Sequence, residues 1–329
     1  MIETAAVIGA GLMGKGIAKH LAAMGCKVIL IDSNPEQLAQ AKKQIETPDV
    51  ILSTDIKECY HVDYAIEAIV EDLNLKKKLF AELNEILGEK TILASNTSSL
   101  LIRDLAKAVH LPERFIGVHY NNPADLNPIV EIIPTDYTNA MVTDLLINCY
   151  MNSGKRAVLC RDTSGFVLNR QSLPYINEAV RCLDIASPKS IDEIARRELG
   201  TNLGPFAVID LVGLKVMATA SKNLGLLGAG YLPAKLLLQK ATDEAGNWNI
   251  DAETGLHSNS VDAVRDRLLG AILFSGKDIL DQSLCSRNDL HLICLEALGY
   301  QRSSPDLLDQ LPRTEISRLI ENYLSAETD

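Results

Sequence analysis

Residues 5–14 read Ala5-Ala6-Val7-Ile8-Gly9-Ala10-Gly11-Leu12-Met13-Gly14, and the fold follows from the way this stretch changes character half-way along. Its first four residues form a short apolar run, the pattern of a strand buried on both faces. The next six carry glycine in the spacing GxGxxG, and beyond them Ile17, Leu21 and Met24 recur at helical intervals. A second apolar run, Lys27-Val28-Ile29-Leu30-Ile31, comes next. Strand, glycine turn, helix and strand predict a βαβ opening.

In that setting the glycines have separate physical reasons. Gly9 permits the tight turn, Gly11 lets backbone amides approach a pyrophosphate, and Gly14 allows helix to pack closely on strand. The phosphates would lie at the helix N-terminus, where amides lack intrahelical partners and the dipole favours anions. Leu12 and Met13 join the glycines as cofactor-binding candidates. Asp32 ends the second strand 18 residues after Gly14. There a carboxylate can accept hydrogen bonds from the adenosine ribose hydroxyls and would repel a 2′-phosphate. The residues that follow, Ser33-Asn34-Pro35, offer no arginine to accommodate such a phosphate. NAD is therefore expected rather than NADP.

Working outward, strands are expected at 64–69, 91–94, 115–118, 129–133 and 157–160, with helices at 75–86, 102–109 and 141–152 between them. Alternation of this kind predicts an α/β, Rossmann-type doubly wound, mainly parallel sheet over residues 1–162. Beyond Gly165 the pattern becomes helical, so residues 163–329 are expected to form a second, mainly α-helical domain for substrate binding or dimerisation. Its first helix, 166–183, contains Pro174, which predicts a kink or local break. A weak internal repeat, 176–214 against 266–312, is carried by Leu183-Asp184, Ile191-Asp192 and Leu199-Gly200 recurring as Leu280-Asp281, Asn288-Asp289-Leu290 and Leu298-Gly299. Residues 243–261 are rich in Gly, Asn, Asp and Ser and read as a loop. Trp248 is taken as loop content, not as a ligand-stacking ring.

Composition excludes several classes of function. With 329 residues, 47% of them hydrophobic, the chain can bury a large core in about two domains. A formal net charge of −11 argues against binding nucleic acid or an anionic membrane surface, which would need a concentrated basic patch. The apolar runs fall short of a bilayer span, and the N-terminal residues lack the marks of a signal or transit segment, so a cytoplasmic location is expected. The seven cysteines are scattered without CxxC pairs, and His20, His61, His110, His257 and His291 share no metal-ligand spacing. Reduced, packed thiols and no metal are expected.

Three later segments carry chemistry. They are Ser95-Asn96-Thr97-Ser98-Ser99, Gly117-Val118-His119-Tyr120-Asn121-Asn122-Pro123 with Val130-Glu131, and Asp162-Thr163-Ser164-Gly165-Phe166-Val167-Leu168-Asn169-Arg170. In this order and register they resemble the 3-hydroxyacyl-CoA dehydrogenase family, whose motifs read SNTSS, GxHFxNP followed by VE, and DxxGFxxNR. Gly204-Pro205-Phe206, with Asp210 and Gly213, matches its second-domain signature. The repeat is similar to the duplicated substrate domain of multifunctional members. The resemblance implies NAD-dependent oxidation of a 3-hydroxyacyl-CoA, or the reverse reduction, in fatty acid or lipid metabolism. Oxidising a secondary alcohol requires a base as hydride leaves, and His119 at the end of a strand suits that role. Glu131 can fix its tautomer and stabilise the imidazolium. Ser98 and Asn169 match polar groups around the substrate oxygen. Ala68, Glu71, Lys76, Asn96 and Asn122 match positions around the cofactor.

Of the places where this chain departs from the family, two bear on the substrate side. The long helical hairpin that helps hold CoA in family members is absent or reduced to one helix, about 36–44. The aromatic and apolar run that usually follows the catalytic histidine becomes Tyr120-Asn121 and then Ala124-Asp125-Leu126-Asn127-Pro128, so the substrate side is expected to be more polar. CoA is the acyl carrier that the resemblance implies, and the missing hairpin supports an acyl carrier protein or a free hydroxy acid as alternatives. From another class comes a non-catalytic NAD-binding protein, against which His119, Glu131, Ser98 and Asn169 argue jointly. The β-hydroxyacid dehydrogenase type uses a catalytic lysine where this chain has histidine. The resemblance implies a homodimer, or a monomer if the duplicated helices bury the same surface within one chain.

Overall fold

The computed structural model describes residues 2–242, 247–248 and 260–326. The chain divides into two compact units, Met1–Thr163 and Ser164–Asp329. In chain order the first unit contains β1 (Thr4–Ile8), α1 (Leu12–Ala23), β2 (Lys27–Ile31), α2 (Pro35–Gln44), β3 (Val50–Ser53), β4 (Tyr64–Glu67), α3 (Leu73–Asn84), β5 (Ile92–Ser95), α4 (Ile102–Ala106), β6 (Phe115–Tyr120), β7 (Ile129–Ile133), α5 (Ala140–Asn152) and β8 (Arg156–Leu159). The strands form one eight-stranded sheet in the order β3-β2-β1-β4-β5-β6-β7-β8. Neighbours are parallel except β6 and β7.

The apolar runs become strands because helices cover both faces of the sheet. Ala5, Ala6, Val7, Leu30, Ala65, Ile66, Ile116 and Val118 are all essentially inaccessible to solvent. α1 contributes Ile17, Ala18 and Leu21 to the same core. One strand, β3, was not anticipated. It is four residues long and forms the sheet's edge, with Ile51 59% exposed, so its pattern lacks the continuous burial that marks the inner strands. It shortens the interval after Asp32 to the single helix α2, whose start is set by the Asn34 side chain accepting from the Glu36 amide. α4 is also shorter than the expected 102–109.

The second unit contains α6 (Leu168–Arg181), α7 (Pro188–Ile194), α8 (Pro205–Val212), α9 (Leu214–Leu224), α10 (Lys235–Thr242), α11 (Ser260–Asp281), α12 (Arg287–Leu292), α13 (Ser304–Gln310) and α14 (Arg313–Ala326). At Pro174, where a kink or a local break is expected, the helix is not broken: α6 continues through it from Leu168 to Arg181. Proline within a helix costs about 3 kcal/mol, and here α6 is packed between α11, α8 and α9, with Leu173, Pro174, Tyr175 and Ile176 all buried. Most of the expected loop 243–261 lies outside the described residues. Within it Trp248 is buried against Phe206 and bonded through its amide to Asp210 at 2.7 Å, and Val261 belongs to α11.

The two halves of this unit share one succession of structure. α7 follows a serine cap, Ser187, and runs into a π turn at Ala195–Leu199 that ends on left-handed Gly200. α12 follows the cap Ser286 and runs into a π turn at Ile293–Ala297, with left-handed Gly299 just beyond. The two turns meet reciprocally, since Asn202 N–H donates to the Gly299 carbonyl (2.9 Å) and Gln301 N–H to that of Gly200 (2.8 Å). The long helices α6 and α11 pack on each other. Gln171 donates to Ser275 Oγ at 3.0 Å, and Arg267 Nε donates to buried Glu178 at 2.6 Å.

Among the described residues no helix is long and apolar enough to cross a membrane, and none form a cluster of three or more metal-ligating side chains. All seven cysteines are free thiols.

Candidate active site

The candidate residues of the first unit follow the C-terminal ends of the parallel strands, the side of such sheets on which ligands bind. After β1, Gly9 takes φ +110° and donates its amide to the Ile31 carbonyl at 2.7 Å. A Cβ on Gly9 would lie 2.5 Å from the Ala68 carbonyl oxygen, and one on Gly14 would collide with the Gly9 carbonyl. These two glycines are demanded by the fold. Gly11 is different, with an ordinary φ of −68° and open space within 4 Å of where a Cβ would stand. It caps α1 without any side-chain hydrogen bond, beside Leu12, which is 66% exposed. An uncapped helix N-terminus facing a clear space suits a diphosphate.

Asp32 binds that turn to the end of β2. Its Oδ2 accepts from the Ala10 amide at 2.7 Å and its Oδ1 from the Asn34 amide at 2.8 Å. A carboxylate has about four acceptor sites, which leaves capacity for ribose hydroxyls. Met13 and Ala68 are partly buried and pack against the core beside the turn.

A buried ionic network follows β4. Glu67, fully buried at the end of that strand, accepts from Lys76 Nζ, from Ser95 Oγ at 2.7 Å and from the Ile69 amide at 2.7 Å. Burial pushes its carboxyl above the usual range against the pull of Lys76. Lys76, 1% exposed, also lies 3.3 Å from Glu71. Glu71 in turn accepts from Thr97 Oγ1 (2.6 Å), the Ser98 amide (3.0 Å) and Oγ (3.3 Å), and the Ser99 amide (3.0 Å) and Oγ (2.9 Å). Burial raises the Glu71 pKa, yet Lys76 and these bonds outweigh it and hold the group below the usual carboxylate value. One carboxylate thereby shapes the whole turn that presents Ser98.

His119 and Glu131 sit directly opposite each other in the antiparallel register of β6 and β7. Imidazole Nδ1 and carboxylate Oε2 are 2.6 Å apart, with His119 5% and Glu131 0% exposed. The Cys160 thiol lies 3.5 Å from the carboxylate's other oxygen. Because Nδ1 is engaged by Glu131, Nε2 is the ring nitrogen that could exchange a proton with a ligand. Asn96 Oδ1 accepts from the Tyr120 amide at 2.9 Å, pinning the end of β6. Asn122 precedes Pro123 through a cis peptide bond.

The structure therefore gathers Gly9, Gly11, Leu12, Met13, Gly14, Asp32, Ala68, Glu71, Lys76, Asn96, Ser98, His119, Asn122 and Glu131 within the first unit, whereas Asn169 stands in the first turn of α6 in the second. Lys76 is an internal ion-pair partner, not an open lining residue. Sequence reasoning missed Glu67, Ser95 and Cys160. Glu67 ends an apolar strand, and a charge in such a place was the available signal.

Residues 4–51 and 47–163 match the family model described as 3-hydroxyacyl-CoA dehydrogenase, NAD binding domain, and residues 165–247 match that of the 3-hydroxyacyl-CoA dehydrogenase C-terminal domain. The chain belongs to the 3-hydroxyacyl-CoA dehydrogenase family. It is accordingly an NAD-dependent oxidoreductase. The mitochondrial hydroxyacyl-coenzyme A dehydrogenase of Sus scrofa is 38% identical over 242 residues, covering 65% of this chain and 77% of that one. A probable 3-hydroxybutyryl-CoA dehydrogenase of Bacillus subtilis is 36% identical over 260 residues, covering 72% and 91%. In fold, the chain matches the crystal structure of 3-hydroxybutyryl-CoA dehydrogenase from Escherichia coli with a TM-score of 0.85 and 23% identity, over 100% of this chain and 96% of that one.

Proposed function

We propose that this family member oxidises the C3 hydroxyl of a short 3-hydroxyacyl-CoA, or reduces the 3-oxo form, with His119 as general base and acid. The observation that carries this reading is the buried His119–Glu131 pair, opposed in register at the C-terminal end of β6. Bound NAD supplies the hydride acceptor. His119 Nε2 takes the C3 hydroxyl proton, and Glu131 stabilises the imidazolium at Nδ1 without itself becoming protonated. Ser98, held by Glu71, aligns the substrate oxygen, and the resemblance gives Asn169 a similar polar role. The Gly11 turn receives the diphosphate and Asp32 the adenosine ribose, while Ala68, Asn96 and Asn122 line the nicotinamide side.

CoA is the favoured carrier. The single helix α2 between β2 and β3 favours, as a second reading, the same chemistry on a carrier-protein thioester or free hydroxy acid. The reciprocal pairing within the helical unit favours a monomer over a homodimer, and the free thiols favour a reducing, cytoplasmic compartment. The test follows NADH absorbance with NAD and 3-hydroxybutyryl-CoA, beside a His119→Ala variant and an NAD titration. Turnover lost in the variant with NAD affinity intact supports the assignment. Turnover retained in His119→Ala sinks it, and NAD binding without turnover by the parent transfers the search to the other carriers.

A further inference from the structure

The geometry points to Glu67 as a positioning residue for the reaction: buried at the end of β4, it fixes Lys76, and through Lys76 and Glu71 it fixes the orientation of the Ser98 hydroxyl. The inference deepens the proposed 3-hydroxyacyl thioester chemistry and rests on the role given there to Ser98. Glu67 stands where the sheet order changes direction, since β1 has β2 on one side and β4 on the other. In the register of β1 and β4 it is opposite Ile8, the residue before Gly9. A dinucleotide in an open α/β sheet lies at such a switch point. With the adenosine half on Asp32 beside β2, the nicotinamide half crosses to the β4 side.

Two links run from Glu67 to the turn that carries Ser98. The first is direct, because Glu67 is opposite Ser95 in the register of β4 and β5 and accepts from its Oγ at 2.7 Å. Asn96, next in that turn, accepts from the Tyr120 amide at 2.9 Å, so the turn is tied in its own right to the residue after His119. The second link is ionic. Lys76 Nζ donates to Glu67 and to the Ile69 carbonyl (3.4 Å), and lies 3.3 Å from Glu71 Oε2. The buried ammonium is thus enclosed by acceptors of the protein, and it acts on the site only through them. It holds Glu71 by one oxygen, while the other, Oε1, accepts from the Ser98 amide at 3.0 Å and from Ser98 Oγ at 3.3 Å. Stability alone gives no reason for the Glu67–Lys76 pair, since a buried ion pair is often no more stabilising than apolar residues of the same volume. What apolar side chains lack is a fixed charge that keeps Glu71 ionised and turned toward Ser98. A group that aligns a reacting oxygen needs a support of this kind.

The test is a double-mutant cycle on the full chain with NAD and 3-hydroxybutyryl-CoA. Glu67→Gln is made in the parent and in Ser98→Ala, and kcat is expressed per NAD site counted by titration. In the parent, Glu67→Gln is expected to lower kcat by about ten- to a hundredfold, the scale of loss that a misplacement of about 1 Å produces, while KM for the thioester stays within about twofold. In Ser98→Ala the same change should cost less than about threefold, because the group it positions has gone. Should Glu67→Gln fail to fold, Ser95→Ala leaves both charges in place and is expected to show the same dependence on Ser98 with a smaller loss. An equal loss in both backgrounds assigns Glu67 to general stability and overturns the inference. So does a kcat that neither variant changes, or a Ser98→Ala enzyme as fast as the parent. Turnover lost in His119→Ala beside an additive cycle leaves the proposed function standing and removes this inference alone, whereas a parent without turnover removes both.

Discussion

Replacing Glu131 by Gln removes a charge while keeping the side chain's shape, and the structure gives the size of the effect. The carboxylate is completely buried and sits 2.6 Å from His119 Nδ1. A hydrogen bond to a charged group contributes about 1.5–3 kcal/mol, and its full value is needed only when the imidazole becomes cationic in the transition state. At about 1.4 kcal/mol per tenfold in rate, kcat should fall by roughly 10- to 150-fold. A larger loss, toward the ~10⁴ found when the carboxylate of a hydrolase triad becomes an amide, is expected if the introduced carboxamide donates to Nδ1 and so imposes the tautomer with a proton on Nε2. KM and NAD affinity should change little, since neither depends on a charged imidazole. Single-turnover NADH formation, with an NAD titration alongside, separates these quantities. A folded Glu131→Gln enzyme whose kcat stays within about threefold of the parent would refute the coupling argued from the register of β6 and β7.

Gly11→Ala should melt like the parent yet lose at least about tenfold in NAD affinity, whereas Gly14→Ala should be strongly destabilised, because its Cβ collides with the Gly9 carbonyl; thermal melts and NAD titrations read both. His20 is buried against Tyr120 and Ser153, and its pKa is lowered to about 3 by burial first and the Lys155 charge second. Its folded pKa lies below the unfolded value of 6.5, so the stability it confers is intact above about pH 6.5. That stability declines toward pH 3 by up to about 1.4 kcal/mol per pH unit, and urea titrations should show this slope reduced in His20→Gln. Lys76→Met should cost about 3–5 kcal/mol by leaving Glu67 without its ion-pair partner, and the double variant with Glu67→Gln should recover part of it, as chemical denaturation can measure.

The parts of this fold legible in the sequence are those fixed by short-range pattern. The strand, glycine turn and helix at residues 5–24 could be read because each glycine answers to a local steric demand. His119 and Glu131 could be paired because twelve residues is enough for one strand to turn back beside another. The ionic network was hidden because Glu67 meets Ser95 from 28 residues away, and no spacing rule links such positions. β3 was hidden because an edge strand needs only one partner and little burial. Pro174 leaves α6 unbroken because tertiary packing on that helix outweighs a local penalty. His20, in the sequence only a histidine without metal-ligand spacing, is bonded to Tyr120 and Ser153, the latter 133 residues distant, a partnership that only the folded sheet creates.

The reciprocal bonds between the turns at Gly200 and Gly299 have a consequence at low protein concentration. When two separate chains pair, dilution drives them apart. Here one covalent backbone carries both halves, so each meets the other at an effective concentration set by the connecting chain and not by the solution. On the monomeric reading proposed above, melting of the helical unit is a unimolecular event whose midpoint should stay fixed on dilution, and a midpoint that falls with dilution would count against that reading.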